Sequence, residues 1–223
     1  MIVDENTKIC VGSHEIFQVY SGDQLLYSSY VVLNYLEANH VARQQQWIDT
    51  GVCFDQNTWM ELEVMVLTPV TTSGSIWHQM LGGLDRYHSP TAIQLAHNIT
   101  NNACPLDYGT NGMRESISVS QNIRFKIQIK DHDHWINNQQ VTQSGYFSGK
   151  SAYSMWLFGY NRGDLPFDEP FLHCRIYFCK IYQGEQLIRN FVPVLNKNGV
   201  PCLYDKVEHK FYYNQGNGQF LYG

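Results

Sequence analysis

Residues 123–141 read IRFKIQIKDHDHWINNQQV. The first half alternates: Ile123, Phe125, Ile127 and Ile129 are apolar, while Arg124, Lys126, Gln128 and Lys130 are polar. A period of two belongs to a strand with one face on a core and the other toward water. Carried past Lys130, the alternation would put Asp131 and Asp133 on the buried face, where unpaired carboxylates are costly. The chain is therefore expected to turn at 131–133, because Asp side chains bond nearby backbone amides. A second short strand follows, with Asn137-Asn138 as its two-residue hairpin turn, since Asn tolerates positive φ. Ile136 and Val141 then share one face and Trp135 takes the other.

The same stretch contains Asp131-His132-Asp133-His134, residue types that zinc or a catalytic metal accepts. A metal centre would need further ligands, and no other clustered His/Cys pattern in the chain supplies them. The expectation is a solvated bend that binds no metal, in a protein without a cofactor.

Strand-like runs bounded by turn residues recur throughout, and helical periodicity is scarce. Residues 59–67 read WMELEVMVL, with Met60, Leu62, Val64 and Val66 on one face. Residues 174–182 read CRIYFCKIY, with Ile176, Phe178 and Lys180 expected opposite Arg175, Tyr177, Cys179 and Ile181. The pattern predicts an all-β chain, a two-sheet antiparallel jelly roll with little helix. At 223 residues, one such domain fits.

Composition narrows the partners. A net charge of −5 lacks the basic footprint of a nucleic-acid binder. Aromatics reach 14%, with fifteen tyrosines, which suits both strands and binding faces. No apolar run approaches membrane-spanning length, and the start, Met1-Ile2-Val3-Asp4-Glu5, has no export-signal pattern. The six cysteines, Cys10, Cys53, Cys104, Cys174, Cys179 and Cys202, are therefore read as reduced core fillers in a protein assembled in a cytoplasm.

Residues 19–26, VYSGDQLL, echo residues 181–188, IYQGEQLI. Each is expected to be a compact hairpin whose Gly supplies the positive φ of a three-residue loop. A boundary is placed near 28–31. It separates a small unit, 1–28, from the main domain, 29–223. The small unit carries Ile9, Val11, Ile16, Phe17, Val19, Tyr20, Leu25 and Leu26 but cannot bury a stable core alone. Cover would come from the chain's own domain or from another chain.

Three stretches together resemble a known family. Residues 35–66, YLEANHVARQQQWIDTGVCFDQNTWMELEVMV, look like an opening strand, a loop and a Y-I-D-T-G turn. Residues 123–141 look like its middle hairpin, with Asn137-Asn138 in place of the usual Asn-Gly. Residues 174–223 look like its closing stretch, here IY-x-G-x-x-x-I-R-x-F-x-P, then G-x-x-x-L-Y-D and F-Y-x-N-x-G-x-G-x-F. These features are similar to the laminin-G-like, concanavalin A-like jelly-roll domains of bacteriophage tail and virion proteins and of gut-bacterial surface proteins. The resemblance spans roughly 30–223, and residues 8–28 resemble an anchoring hairpin that precedes such domains in tail proteins. It implies a non-enzymatic virion protein, an adhesin or fibre-type component. Its partners would be other virion proteins and a host-surface polysaccharide, in a homo-oligomer, a trimer by analogy. A capsid-decorating or head-fibre protein and a glycan-binding module of a bacterial surface protein are the alternatives. The calcium pattern of eukaryotic relatives has no match here.

Several residues compete for a functional role. Glu61 and Glu63 share a strand face, as do the acids of concanavalin-like glycoside hydrolases, but Met65 and Val66 stand where the third acid belongs. That reading is disfavoured against a solvated strand face. Arg162-Gly163-Asp164 spells an adhesion tripeptide and is read as a solvated Gly turn. Trp77, Tyr87, Trp135 and Tyr160 are the candidate ligand-binding aromatics, because an outward ring offers a flat surface to a sugar or a neighbouring subunit.

Overall fold

A computed structural model describes residues 9–11, 14–16, 18–21, 24–28, 30–39, 45–67, 77–83, 91, 93–98, 103–109, 116–130, 133–142, 147–161, 163 and 173–223. For 9–28, 77–83, 96–98, 103–108, 116–118, 133, 141 and 142 the description is of backbone alone. The strands are numbered in chain order. The first are β1 (Ile9–Val11), β2 (His14–Ile16), β3 (Gln18–Ser21) and β4 (Gln24–Ser28). Next come β5 (Tyr30–Val32), β6 (Leu36–Ala38), β7 (Ile48–Asp49) and β8 (Thr58–Val66). β9 (Trp77–Gly83), β10 (Ile93–Asn98), β11 (Ala103–Tyr108) and β12 (Ser116–Ser118) follow. Then come β13 (Arg124–Lys130), β14 (Asp133–Ile136), β15 (Gln139–Thr142) and β16 (Trp156–Leu157). The last are β17 (Cys174–Gln183), β18 (Gln186–Asn196), β19 (Pro201–Asp205), β20 (Lys210–Tyr212) and β21 (Leu221–Tyr222).

The protein is all-β, with no helix among the described residues. One sheet has eleven strands, running β15-β14-β13-β8-β17-β18-β19-β20, with β5 on β18, β6 on β17 and β21 on β6. A second, β12-β11-β10-β9-β16-β7, has six. The ladders are antiparallel. β1–β2 and β3–β4 form two further two-stranded sheets, whose ladders join neither large sheet.

The alternation explains the layers. On β8, Met60, Leu62, Val64 and Val66 are fully buried, and between them Trp59, Glu61, Glu63 and Met65 are half-exposed. On β13, Phe125, Ile127 and Ile129 point the same way as the buried β8 residues. They share one core with Ile48, Ile93, Leu95 and Leu157 of the second sheet, which makes a two-sheet antiparallel sandwich. Each such side chain fully buried contributes about 1.5–3 kcal/mol.

β17 departs from the expected phase. Ile176 lies opposite Val64 but Phe178 lies opposite Glu63, so Tyr177 is an extra residue, a β-bulge. Before it Cys174 and Ile176 face the core; after it Cys179 and Ile181 do. Phe178, Lys180 and Tyr182 are thereby turned to the outer face. Ile176 and Phe178, expected on one face, point to opposite ones.

Both hairpin readings find backbone counterparts. Asn137 and Asn138 have φ of 47° and 67°, as a two-residue primed turn requires. The echo at 19–26 and 181–188 extends to register: Tyr20 pairs with Leu25 and Tyr182 with Leu187, with a shift before each Tyr. The paired ends Gln183 and Gln186 leave two residues between them, not three, and the third is absorbed by the bulge. Gly184, at φ 58°, opens that turn.

The closing stretch locks the fold. Asp205 is fully buried, and its Oδ1 accepts from the Asn190 and Val207 amides at 2.8 and 3.0 Å. Arg189 stands 3.6 Å from Asp205 and 2.7 Å from Glu208, which accepts from the Tyr212 hydroxyl at 2.7 Å. The Arg of I-R-x-F-x-P and the Asp of L-Y-D thus meet in one network that runs from the buried Asp205 out to the exposed Glu208.

Candidate functional site

The outer face of the large sheet is where polar and aromatic side chains converge. β8 presents Trp59, Glu61 and Glu63; β13 presents Arg124, Lys126, Gln128 and Lys130; β17 presents Phe178, Lys180 and Tyr182. β14 adds Trp135, which is half-buried and lies opposite Gln128 on one side and Gln140 on the other.

The two glutamates are held by their neighbours. Arg124 grips Glu63 through two nitrogens, at 2.6 and 2.7 Å, and its guanidinium covers the Tyr177 ring at 3.9 Å. Glu61 lies 3.6 Å from Lys126 and accepts from Gln128 at 3.4 Å. Both carboxylates are thus engaged by side chains of β13 on the same face of the sheet.

Trp59 and Tyr182, directly opposite across the β8–β17 ladder, stack with centroids 3.8 Å apart and planes 2° from parallel. The Trp59 indole donates to the Gly184 carbonyl at 2.6 Å, which fixes the ring against the β17–β18 turn. The Lys130 ammonium stands 5.1 Å from the ring centre of Trp59. Because β13 and β17 flank β8 on opposite sides, Lys130 covers the indole face that Tyr182 leaves open. Burial, and next the Glu61 charge, push the Tyr182 phenol pKa up, so it stays a neutral hydroxyl.

A cleft of about 260 Å³ opens beside this stack. Gln56, Asn57 and Thr58 form one wall, Gly184 and Glu185 another, and Trp59 and Lys130 complete it. Asp55 braces the first wall: it accepts from the Asn57 amide at 2.9 Å, Thr58 Oγ1 at 3.0 Å and Gln183 Nε2 at 3.0 Å. Burial would raise the Asp55 pKa, but these bonds and the nearby Lys150 charge outweigh it and hold the carboxyl below its usual range. The cleft is below the roughly 300–1,000 Å³ of drug-sized ligand sites and suits one polar ring. An aromatic edge, amide groups and one charge of each sign can hold a hydroxyl-rich ligand.

The other candidates are dispersed. Tyr160 is 1% exposed, so its ring is unavailable as a surface platform; it was expected to be a binding residue, and the sandwich buries it. Trp77 starts β9 in the second sheet, where backbone alone is described, and Tyr87 lies outside the described residues. Phe17 also lies outside them, as do the side chains of Ile9, Val11, Ile16, Val19, Tyr20, Leu25 and Leu26. Of Arg162-Gly163-Asp164 only Gly163 is described, exposed at φ 80°. His134, expected at a solvated bend, is instead 2% exposed on β14, opposite the buried Ile129; Asp131 and His132 lie outside the described residues. Among the described residues no group of three or more His, Cys, Asp or Glu could hold a metal ion. Cys174, Cys179 and Cys202 are buried free thiols, and burial pushes Cys202 up to about 12 and Cys179 higher still, so neither becomes a thiolate near neutral pH.

Trp59, Tyr182 and Lys130 were not singled out from the sequence. Trp59 did carry a signal, a large aromatic in phase with Glu61 and Glu63. Tyr182 carried none, because the bulge that turns it outward is invisible in a run as apolar as IYFC. No family model and no curated protein matches the chain.

Proposed function

We propose that this chain is a non-enzymatic bacteriophage virion component, a jelly roll that offers the outer face of its large sheet to a host-surface glycan. The observation that carries the glycan-binding part is the Trp59–Tyr182 stack with its amide-walled cleft and the displaceable Lys130 ammonium over the indole. The sugar's C–H face would pack on the aromatic, and its hydroxyls would bond Gln56, Asn57 and Lys130. The virion part is supported by the resemblance of residues 35–66, 123–141 and 174–223 to phage tail and virion domains. The ladders of β1–β4 stay apart from the sandwich, which supports an attachment role for 1–28. Engagement of Glu61 and Glu63 by Lys126 and Arg124 supports binding without hydrolysis.

A glycan array probed with the purified chain, alongside immunogold microscopy of particles, tests both parts. Array signal lost in Trp59→Ala, no reducing sugar released from the bound glycan, and gold on the particle surface are expected. Signal unaffected by Trp59→Ala removes the cleft from the account. Absence of gold from particles removes the virion.

A further inference from the structure

We infer that the outer face takes an extended saccharide chain, one ring in the Trp59 cleft and another on Trp135, and does not stop at a single terminal sugar. This rests on the glycan-binding reading above. Register fixes the relation of the two aromatics. Trp135 lies opposite Gln128, and Gln128 lies opposite Glu61, which is two residues along β8 from Trp59. Two strand spacings and two residue steps put the aromatics roughly 12 Å apart, the reach of about three linked pyranose rings.

The ground between them suits such a chain. Trp135 stands between two amides in one cross-strand row, Gln128 on β13 and the exposed Gln140 on β15. Among the described residues no ring or cation stacks on it. A sugar ring resting there meets an apolar plane beneath and amide donors and acceptors at both edges. Lys130, exposed and on the same face as Gln128, lies on the diagonal from Trp135 to the cleft and can reach the intervening ring. A site for a terminal sugar alone would need only the cleft. The second aromatic, flanked by amides and in line with it, is what a longer ligand uses.

The test is calorimetric titration of the full chain with chito-, cello- and manno-oligosaccharides of one to six units. Affinity is expected to rise through the third unit and then level off. Trp135→Ala should remove that rise, lowering three-unit affinity roughly two- to tenfold, and leave single-ring binding unchanged. Trp135→Tyr should keep most of it. Trp59→Ala should abolish binding at every length, with an unchanged strand spectrum and a cooperative melt showing that the variants fold. Affinity independent of length, or untouched by Trp135→Ala while Trp59→Ala abolishes it, overturns the extended chain and leaves the cleft standing. No binding at any length overturns both.

Discussion

Gly216 and Gly218 decide how the chain ends. Neither glycine has positive φ, so turn geometry is not what requires them. A Cβ on Gly216 would collide with the Gln45 carbonyl, and one on Gly218 with the Gln46 side chain. The glycines are there for close approach, which lets Asn214 accept from the Trp47 amide at 3.0 Å and Asn217 from the Gln45 amide at 2.8 Å. That was illegible because the partner segment is at the other end of the sequence. Gly216→Ala should cost toward or beyond the upper end of the 1–3 kcal/mol typical of overpacking, since backbone must move. Gly199→Ala, at φ 72° with open space around it, should cost only about 1–2 kcal/mol. Denaturant melts compare the two. Asp55 gives a pH signature at the same scale. Its folded pKa is depressed, so its stabilisation of the cleft wall is present above 3.8, its ordinary value, and is lost as pH falls through the folded value. Glycan affinity measured from pH 7 downward should hold until that window and then fall, and Asp55→Asn should flatten this acid limb.

The elements show which patterns a sequence can carry. β8 and β13 alternate cleanly because Glu61 and Glu63 on one, and Arg124, Lys126, Gln128 and Lys130 on the other, mark the outer face at every second position, so their phase was legible. β17 is apolar on both sides of its bulge, and nothing in CRIYFCKIY marks Tyr177 as the extra residue. His134 was misplaced for a related reason: Asp131 and Asp133 dominate the local polarity, although the position opposite Ile129 faces the core. The hairpin at 137–138 was legible because Asn-Asn is a turn signal in itself. Positive φ still costs Asn more than Gly, so Asn138→Gly should stabilise by about 0.5 kcal/mol. A rise in melting temperature with unchanged circular dichroism is the expected observation, and a fall would contradict the turn geometry.

At the scale of the whole molecule, the sandwich class followed from recurring strand patterns, but the site did not, because it is assembled from β8, β13 and β17 with the turns at 55–58 and 184–185. Large ladders begin at Tyr30, and the β1–β4 ladders stay separate. A chain of residues 29–223 should therefore keep its strand spectrum and its glycan affinity but fail to join the particle or oligomer. Unfolding would make 1–28 part of the core, and normal assembly would remove its attachment role. The most direct measurement of the central claim, that the outer face of the large sheet binds glycan, is a crystal structure with the tightest oligosaccharide bound. The account predicts sugar density in the cleft at Trp59, Asn57 and Lys130 and continuing toward Trp135. Density on the second sheet, with the Trp59 face empty, would contradict it.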